Sequence, residues 1–170
     1  MPAPSALARM PDVPRLSTVF TPSCAAVEVR AATKADAITA LVDLLAAAGK
    51  APDRAGLLAA VMAREALAPT GLGEDCAIPH AQTDTVTETS IAAIRLAEPL
   101  DFGAPDGSSA RLVFIIVGPK DSAALHLRYL SRLARVLGDP DFHDAAFAAS
   151  DAAAFVAAIL ATDPPPGACA

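Results

Sequence analysis

The sequence predicts an α/β fold, a single-domain sandwich with a mixed central β-sheet flanked by helices. The chain has 170 residues and is 54% hydrophobic, which is enough apolar material for one well-filled core. Two apolar, strand-like runs, residues 90–96 and 111–117, are separated by the turn-forming Pro105–Asp106–Gly107 and predict the sheet centre. Segments with helical periodicity precede and follow these runs, which indicates helices packed on the sheet.

The first half of the chain predicts one strand and two helices. Residues 26–30 alternate apolar and polar side chains, as a short half-buried strand does. Both helices that follow have recognisable start signals. These are the capping-box pair Thr33 and Asp36, with Gly49 as the stop signal, and Asp53, which opens a helix to about residue 66.

Three more helices are predicted after the second strand run. Their start signals are capping side chains or a proline in the first turn. The signals are Asp121 or Ser122 for a helix to about Leu137 that Gly138 ends, Asp139 with Pro140, and Ser150 with Asp151.

The ends of the chain differ in composition from its middle. Many of the fifteen prolines lie near the two ends, which predicts an N-terminal extension over residues 1–22 and a tail over residues 163–170, both flexible. The domain itself is then expected over residues 23–162. Three cysteines, an odd number, form no recognisable disulfide framework and favour a reducing compartment, so we expect a cytoplasmic protein.

Charge and hydropathy exclude two classes of partner. The formal net charge is −6, which argues against nonspecific binding to nucleic acid and suits a basic protein partner. No run of eighteen apolar residues is present, so direct insertion into a membrane is not expected.

His80 is the first candidate for chemistry. It follows Pro79 in the irregular segment 69–84, which is punctuated by glycine and proline and contains a brief extended piece at residues 76–78. Because proline fixes its own backbone and restricts the residue before it, an Ile–Pro–His sequence presents the imidazole in a defined direction.

The other two histidines lie in predicted helices. His126 shares a helix face with Leu130, Leu133 and Leu137, so it points toward the edge of the core. Near a helix N-terminus the imidazole is favoured in its neutral form, which can donate one hydrogen bond beside an anion. A histidine on an apolar face is, however, commonly a plain core residue. His143, in a short polar helix, is interpreted as a solvated position.

Metal ligation, nucleotide binding and simple charge pairing are the competing uses of these residue types. Cys76 with His80 points toward a metal, but the remaining ligands and the paired-cysteine or HExxH spacings are missing, so no metal site is predicted. Gly71 and Gly73 lack the further residues of a nucleotide-binding loop and are explained by a tight turn. Arg64 with Glu65 is, from composition alone, an ordinary charge pair at a helix end.

Taken together, these segments resemble the signature of enzyme IIA domains of the bacterial sugar phosphotransferase system, fructose/mannitol class. The resemblance covers about residues 27–161. It is carried by Arg64–Glu65, Thr70–Gly71–Leu72–Gly73 and Ala77–Ile78–Pro79–His80, and then by Pro99–Leu100–Asp101–Phe102, Pro105–Asp106–Gly107, residues 111–117 and the helix that contains His126.

This resemblance implies a histidine phosphocarrier that needs no cofactor. His80 would accept a phosphoryl group from a histidine of an HPr-like carrier and pass it on, usually to a cysteine of a transporter subunit IIB. His126 would be the supporting histidine, and Arg64 would help to neutralise the phosphoryl group. A related branch, the nitrogen-regulatory enzyme IIA, is phosphorylated in the same way and acts by binding regulated proteins.

Some residues depart from the family pattern. Glu74–Asp75–Cys76 stand where small or neutral residues are common, and Gln82 stands where a basic residue often follows the active-site segment. Acidic groups near His80 would oppose a phosphoryl group. A noncatalytic binding module of the same fold therefore stays open as an alternative. A metal hydrolase that uses Cys76, His80 and His126 is a further, separate alternative.

Overall fold

A computed structural model describes residues 15–163, and its centre is a six-stranded mixed sheet. The order is β1-β5-β6-β3-β2, with β4 beside β3 along the same edge of β6. The β5–β6 and β2–β3 pairs are antiparallel, whereas β1 is parallel to β5, and β3 and β4 are parallel to β6. The strands are β1 (Ala25–Val29), β2 (Gly71–Gly73), β3 (Cys76–Ala77), β4 (His80–Gln82), β5 (Ser90–Leu100) and β6 (Ala110–Gly118). The two runs predicted as the sheet centre are its two longest strands.

In the described part of the chain, five α-helices flank the sheet: α1 (Lys34–Ala47), α2 (Arg54–Leu67), α3 (Ala123–Leu137), α4 (Pro140–Ala148) and α5 (Ala152–Thr162). Their starts follow the predicted caps in four cases. Thr33 and Asp36 form the capping box of α1, and the three aspartates before α2, α4 and α5 each accept a backbone N–H. The cap predicted for α3 is wrong, because the Ser122 hydroxyl donates to Asp121 and no side chain caps the helix.

Alternate residues of the long strands supply two separate apolar layers. Ile91, Phe114 and Ile116 face the layer that contains α3, α4 and α5, and Ile94 and Ile115 face the layer that contains α1 and α2. Because both faces of β5 and β6 are covered, these strands are apolar at nearly every position. The predicted sandwich of a mixed sheet between helices is confirmed.

The N-terminal boundary lies earlier than predicted. Leu16 and Phe20, which the sequence placed in the extension over residues 1–22, are buried in the layer of α3 to α5. The backbone N–H of Leu16 donates to the buried carboxylate of Asp163 at 3.0 Å, and Arg132 also contacts that carboxylate. This stretch therefore joins the fold through apolar contacts that composition does not reveal. Residues 1–14 and 164–170 lie outside the described residues.

A buried arginine links β5 to the end of α4, and its loss should destabilise the fold. Arg95 is 5% exposed and donates to the carbonyl oxygens of Ala146, Phe147 and Ala149 at 2.7, 3.2 and 2.7 Å. We expect Arg95→Met to lower the free energy of unfolding by about 3 kcal/mol, because three carbonyls lose their charged donor. Urea denaturation measures this change.

The matched control for Arg95 is its carboxylate partner. Glu28 accepts from Arg95 at 2.8 Å, but its side chain is 61% exposed, so Glu28→Gln should cost less than about 1 kcal/mol. Equal losses for the two variants would show that the ion pair, and not the carbonyl contacts, carries the stability.

Candidate functional site

His80 is the first residue of β4 and directly follows Pro79. The parallel register pairs it with Ile116 of β6, so its backbone is fixed on one side by the sheet. The ring nitrogen Nδ1 lies 2.8 Å from the carbonyl oxygen of Ile78. A carbonyl only accepts, so Nδ1 carries the proton in this bond, and in the neutral ring the lone pair is on Nε2. The Ile–Pro–His sequence predicted a defined direction for the imidazole, and the hydrogen bond from Nδ1 to the Ile78 carbonyl fixes that direction.

The half-buried His80 lies between two neighbouring open clefts. One cleft has a volume of about 410 Å³, and the other about 370 Å³. Arg64, His80 and Leu130 line both of them, and His126 lines the larger one. The three residues predicted to act together, from α2, β4 and α3, therefore meet at one place on the surface.

His126 lies in the first turns of α3, over the sheet, and is 4% exposed. Its ring centroid is 5.9 Å from that of His80, with the ring planes tilted by 46°. Burial, and secondarily the nearby charge of His80, lower the pKa of His126 to about 4. The ring is therefore neutral near pH 7, with one N–H donor and one acceptor, as the sequence predicted. Burial is the larger cause of this neutrality.

Arg64 lies in the last turn of α2 and does not pair with its neighbour Glu65. Its Nη1 donates to the carbonyl of Ala68 at 3.1 Å, which leaves the guanidinium beside both clefts. Within residues 15–163 it forms no ion pair with a carboxylate. The interpretation of Arg64–Glu65 as a simple charge pair is wrong, and Arg64 remains available to an anion in the clefts.

Glu65 holds the loop beside the site. Its carboxylate is buried and accepts from Thr70 N at 3.1 Å, from Thr70 Oγ1 at 2.5 Å and from Lys34 Nζ at 3.1 Å. The neighbouring Gly71 is required for close approach, since a Cβ there would lie 2.8 Å from the backbone oxygen of Phe102. The Thr–Gly pair of the sequence motif is thus fixed from two sides.

The role of Glu65 can be measured by removing each partner of its ion pair in turn. We expect Glu65→Ala to lower the free energy of unfolding by about 3 kcal/mol, because Thr70 loses two buried bonds and Lys34 loses its counter-charge. Lys34→Met leaves the buried carboxylate without its counter-charge, but it should cost less than Glu65→Ala, since both Thr70 bonds to that carboxylate persist. Chemical denaturation of the two variants checks the order, and a larger loss for Lys34→Met would contradict it.

Glu74 and Asp75 do not line either cleft. Both are exposed and occupy the turn between β2 and β3 with positive φ angles of 52° and 65°. The tight-turn interpretation of the nearby Gly73, whose φ is 91°, is confirmed. The predicted opposition of these acidic groups to a phosphoryl group on His80 is therefore weak.

His143 and Cys76 form a structural contact away from the two clefts. His143 is half-buried and its Nε2 donates to the carbonyl of Leu137 at 2.6 Å, so the predicted solvated position is wrong. The thiol of Cys76 lies 3.9 Å from that same nitrogen, and burial raises its pKa to about 12. In the part of the chain that the structure describes, no group of three or more His, Cys, Asp or Glu residues could hold a metal.

Sequence reasoning missed exposed apolar residues beside His80. Leu72, at the edge of the smaller cleft, is 47% exposed, and Leu127, at the larger one, is 64% exposed. Two signals were available in the sequence: Leu72 lies between two glycines, and Leu127 falls outside the spacing of the buried residues of α3. Leu127 also lies in a surface groove with Arg128 and Arg135, so the charges on this side are basic although the whole chain is acidic.

Comparisons with known proteins point to one family. The profile of the family described as "Phosphoenolpyruvate-dependent sugar phosphotransferase system, EIIA 2" matches residues 18–162. The fructose-specific EIIA component of Haloferax volcanii is 40% identical over 133 residues, which cover 78% of this chain and 86% of that one. Some other relatives are longer proteins. The chain spans 19% of the fructose-specific EIIABC component of Bacillus subtilis, at 34% identity over 72% of its own length.

Solved structures show the same fold. The nitrogen regulatory protein IIA-Ntr of Neisseria meningitidis matches with a TM-score of 0.78 and 28% identity, over 85% of this chain and 98% of that one. Enzyme IIA mannitol of Escherichia coli, in its complex with phosphorylated enzyme IIB mannitol, matches with a TM-score of 0.70 and 26% identity, over 84% and 96%. Because the family match covers most of the chain, this protein belongs to the EIIA 2 phosphocarrier family of the phosphoenolpyruvate-dependent sugar phosphotransferase system.

Proposed function

We propose that this protein carries a phosphoryl group on Nε2 of His80. One observation carries the proposal: the Nδ1–H of His80 is bound to the Ile78 carbonyl, which leaves the Nε2 lone pair as the nucleophile of a ring that lines both clefts. His126 and Arg64 line the same space and supply a neutral donor and a positive charge. Phosphoryl transfer needs positioning and charge stabilisation more than covalent help from the protein.

The transfer step balances without a cofactor. The phosphorus–nitrogen bond of the donor phosphohistidine breaks while a bond from phosphorus to Nε2 of His80 forms, and the donor ring regains its lone pair. No proton has to leave His80, because Nδ1–H stays on the Ile78 carbonyl. The positive charge that the ring acquires offsets part of the phosphoryl charge, and Arg64 and His126 stabilise the equatorial oxygens.

We propose that the donor is an HPr-like phosphocarrier and that the acceptor is a transporter subunit IIB or a regulated protein. The complex of enzyme IIA mannitol with phosphorylated enzyme IIB supports an acceptor of the IIB kind. The exposed Leu72 and Leu127 beside His80 support docking of a protein, because an apolar centre around the reacting atom is typical of interfaces.

We propose the cytoplasm as the site of this relay. The buried Cys24 and Cys76 are both free thiols, which fits a reducing compartment. Within residues 15–163 no helix combines the length and the apolar character needed to cross a membrane.

The experiment that tests this function is intact-mass spectrometry of the full chain after incubation with enzyme I, HPr and phosphoenolpyruvate. We expect one added phosphoryl group that is lost in acid and kept in base, as a phosphohistidine behaves. Phosphoramidate serves as a parallel chemical donor that does not depend on a matching HPr. A chain that stays unmodified with both donors would favour the alternative, a noncatalytic binding module of the same fold.

A further inference from the structure

The residue whose carbonyl holds the His80 ring is fixed by a contact outside β6. Ile78 lies with Pro79 in the short interruption between β3 and β4. The Pro79 carbonyl accepts from the N–H of Ile116 in β6 at 3.2 Å, whereas the N–H of Ile78 donates to the carbonyl of Thr70 at 3.1 Å. The backbone of Ile78 is therefore tied to Thr70, the residue directly before β2.

Thr70 is fixed in turn by the carboxylate of Glu65. One carboxylate oxygen accepts from the backbone N–H of Thr70 at 3.1 Å, and the other accepts from its hydroxyl at 2.5 Å. Because one bond comes from the backbone and one from the side chain, together they fix both the position and the rotation of Thr70. Glu65 is 4% exposed and Thr70 is 7% exposed, so both bonds have little access to water. Glu65 lines neither cleft, whereas its neighbour Arg64 lines both.

We propose that Glu65 is a positioning residue for the nucleophile, Nε2 of His80. Its carboxylate fixes Thr70, the Thr70 carbonyl fixes Ile78, and the Ile78 carbonyl holds the Nδ1–H of His80. We call these four residues the positioning chain. The inference rests on the proposed function, in which Nε2 must keep its lone pair. Glu65 itself does not reach the clefts, so it acts on His80 only through the positioning chain.

A displaced Ile78 carbonyl would change which ring nitrogen of His80 carries the proton. A hydrogen bond weakens steeply when donor and acceptor are misaligned, so a rotation of the Ile78 carbonyl is enough to release Nδ1–H. In a neutral imidazole the proton can then move to Nε2. Nε2 would lack the lone pair with which it attacks phosphorus. Misplacement of a reacting group by about 1 Å, through a change far from the chemistry, can also lower a rate by about 10²-fold.

The direct test is the tautomer of His80, read from long-range ¹⁵N–¹H correlation spectra of the unphosphorylated full chain at pH 8, above the range in which histidines usually titrate. We expect the wild type to show the Nδ1–H form. In Glu65→Ala both bonds to Thr70 are lost, and we expect the Nε2–H form to become substantially populated. Glu65→Gln should keep the wild-type spectrum, because its amide oxygen accepts from the N–H of Thr70 and its amide nitrogen donates to the Thr70 hydroxyl.

Arg95→Met is the matched control for lost stability. It is expected to destabilise the fold about as much as Glu65→Ala, but Arg95 bonds to the end of α4 and not to the positioning chain. The His80 tautomer should therefore stay as in the wild type. Thr70→Val is a milder second variant, because it removes the hydroxyl bond and keeps both backbone bonds of Thr70. We expect a smaller shift toward the Nε2–H form of His80, which Thr70→Ser should reverse.

The functional readout is the rate of phosphoryl uptake by His80 from phosphoramidate, which needs no docking protein. We expect Glu65→Ala to lower the maximal rate by about 10- to 10²-fold, and Glu65→Gln and Arg95→Met to stay within about threefold of the wild type. The phosphoramidate concentration that gives half the maximal rate should change little, because the clefts keep Arg64 and His126.

A wild-type His80 in the Nε2–H form would overturn the inference, as would a Glu65→Ala variant with the spectrum and the rate of the wild type. An equal shift in Arg95→Met would also overturn it, since lost stability alone would then explain the effect. The spectra need no phosphate, which separates this inference from the proposed function. If the tautomers change as expected while neither HPr nor phosphoramidate modifies the wild type, the proposed function fails and the positioning of the ring by Glu65 stands.

Discussion

His80→Asn is expected to take up no acid-labile phosphate from HPr or from phosphoramidate. Asparagine keeps a side-chain N–H that can donate to the Ile78 carbonyl, so the local contact at 2.8 Å can be retained. It has no ring nitrogen with a lone pair, and removal of the nucleophile should lower the rate by more than about 10³-fold. Intact-mass spectrometry over a time course measures the loss.

The matched control for His80 is another histidine of the same chain. His143 contacts Leu137 and Cys76 and lines neither cleft, so His143→Asn should be phosphorylated at the wild-type rate once circular dichroism shows that it is folded. Phosphate on His80→Asn, or its loss only in His143→Asn, would assign the carrier role to a different residue.

Much of the fold could be predicted because its signals are local. The capping pair Thr33 and Asp36 and the aspartate Asp53 act within one helical turn, and the helices begin where these residues predict. The strands β5 and β6 could also be predicted, because strands covered on both faces need apolar side chains at almost every position and so appear as apolar runs in the sequence.

What the sequence did not reveal depends on contacts between distant residues. Leu16 was assigned to a flexible extension, yet its N–H meets Asp163 at the other end of the fold. His143 was interpreted as solvated because its partners, Leu137 and Cys76, belong to elements whose packing no periodicity specifies. In both cases the local sequence does not show the distant residue with which the group forms its contact.

The candidate site likewise contains residues with local sequence signals and residues whose position depends on distant contacts. His80 and His126 could be identified because a proline and a helical spacing set their directions locally, and the family signature added Arg64. The position of Gln82 beside Gly118 could not be identified, because it requires the register between β4 and β6. Gln82 was visible in the sequence only as a departure from the family pattern.

His126→Leu is expected to slow phosphoryl uptake by about 10²–10³-fold while making the fold more resistant to acid. The leucine keeps an apolar contact with the core but removes the ring donor, and loss of one such preorganised donor typically has this effect on a rate. Initial rates of uptake from phosphoramidate, which avoids any change in docking of a protein donor, measure the first effect.

The acid resistance follows from the lowered pKa of His126. An unfolded histidine binds a proton below about pH 6.5, whereas His126 in the fold does so only near pH 4, where its pKa lies. Between these values the unfolded chain binds more protons, so the free energy of unfolding falls as the pH is lowered, by up to about 3 kcal/mol. The leucine variant lacks this loss. Its stability relative to the wild type should therefore rise between pH 7 and pH 4 in urea titrations.

His126→Gln separates the two effects, because glutamine supplies an N–H donor but does not titrate. It should share the improved acid stability of His126→Leu and recover part of the uptake rate that leucine loses. Parallel stability curves for wild type and both variants would show that His126 is not held neutral by burial. Equal rates for leucine and glutamine would show that its N–H does not reach the phosphoryl group. The neutral state of His126 that lowers the stability of the fold in acid is the same state in which a buried imidazole donates to an anion at pH 7.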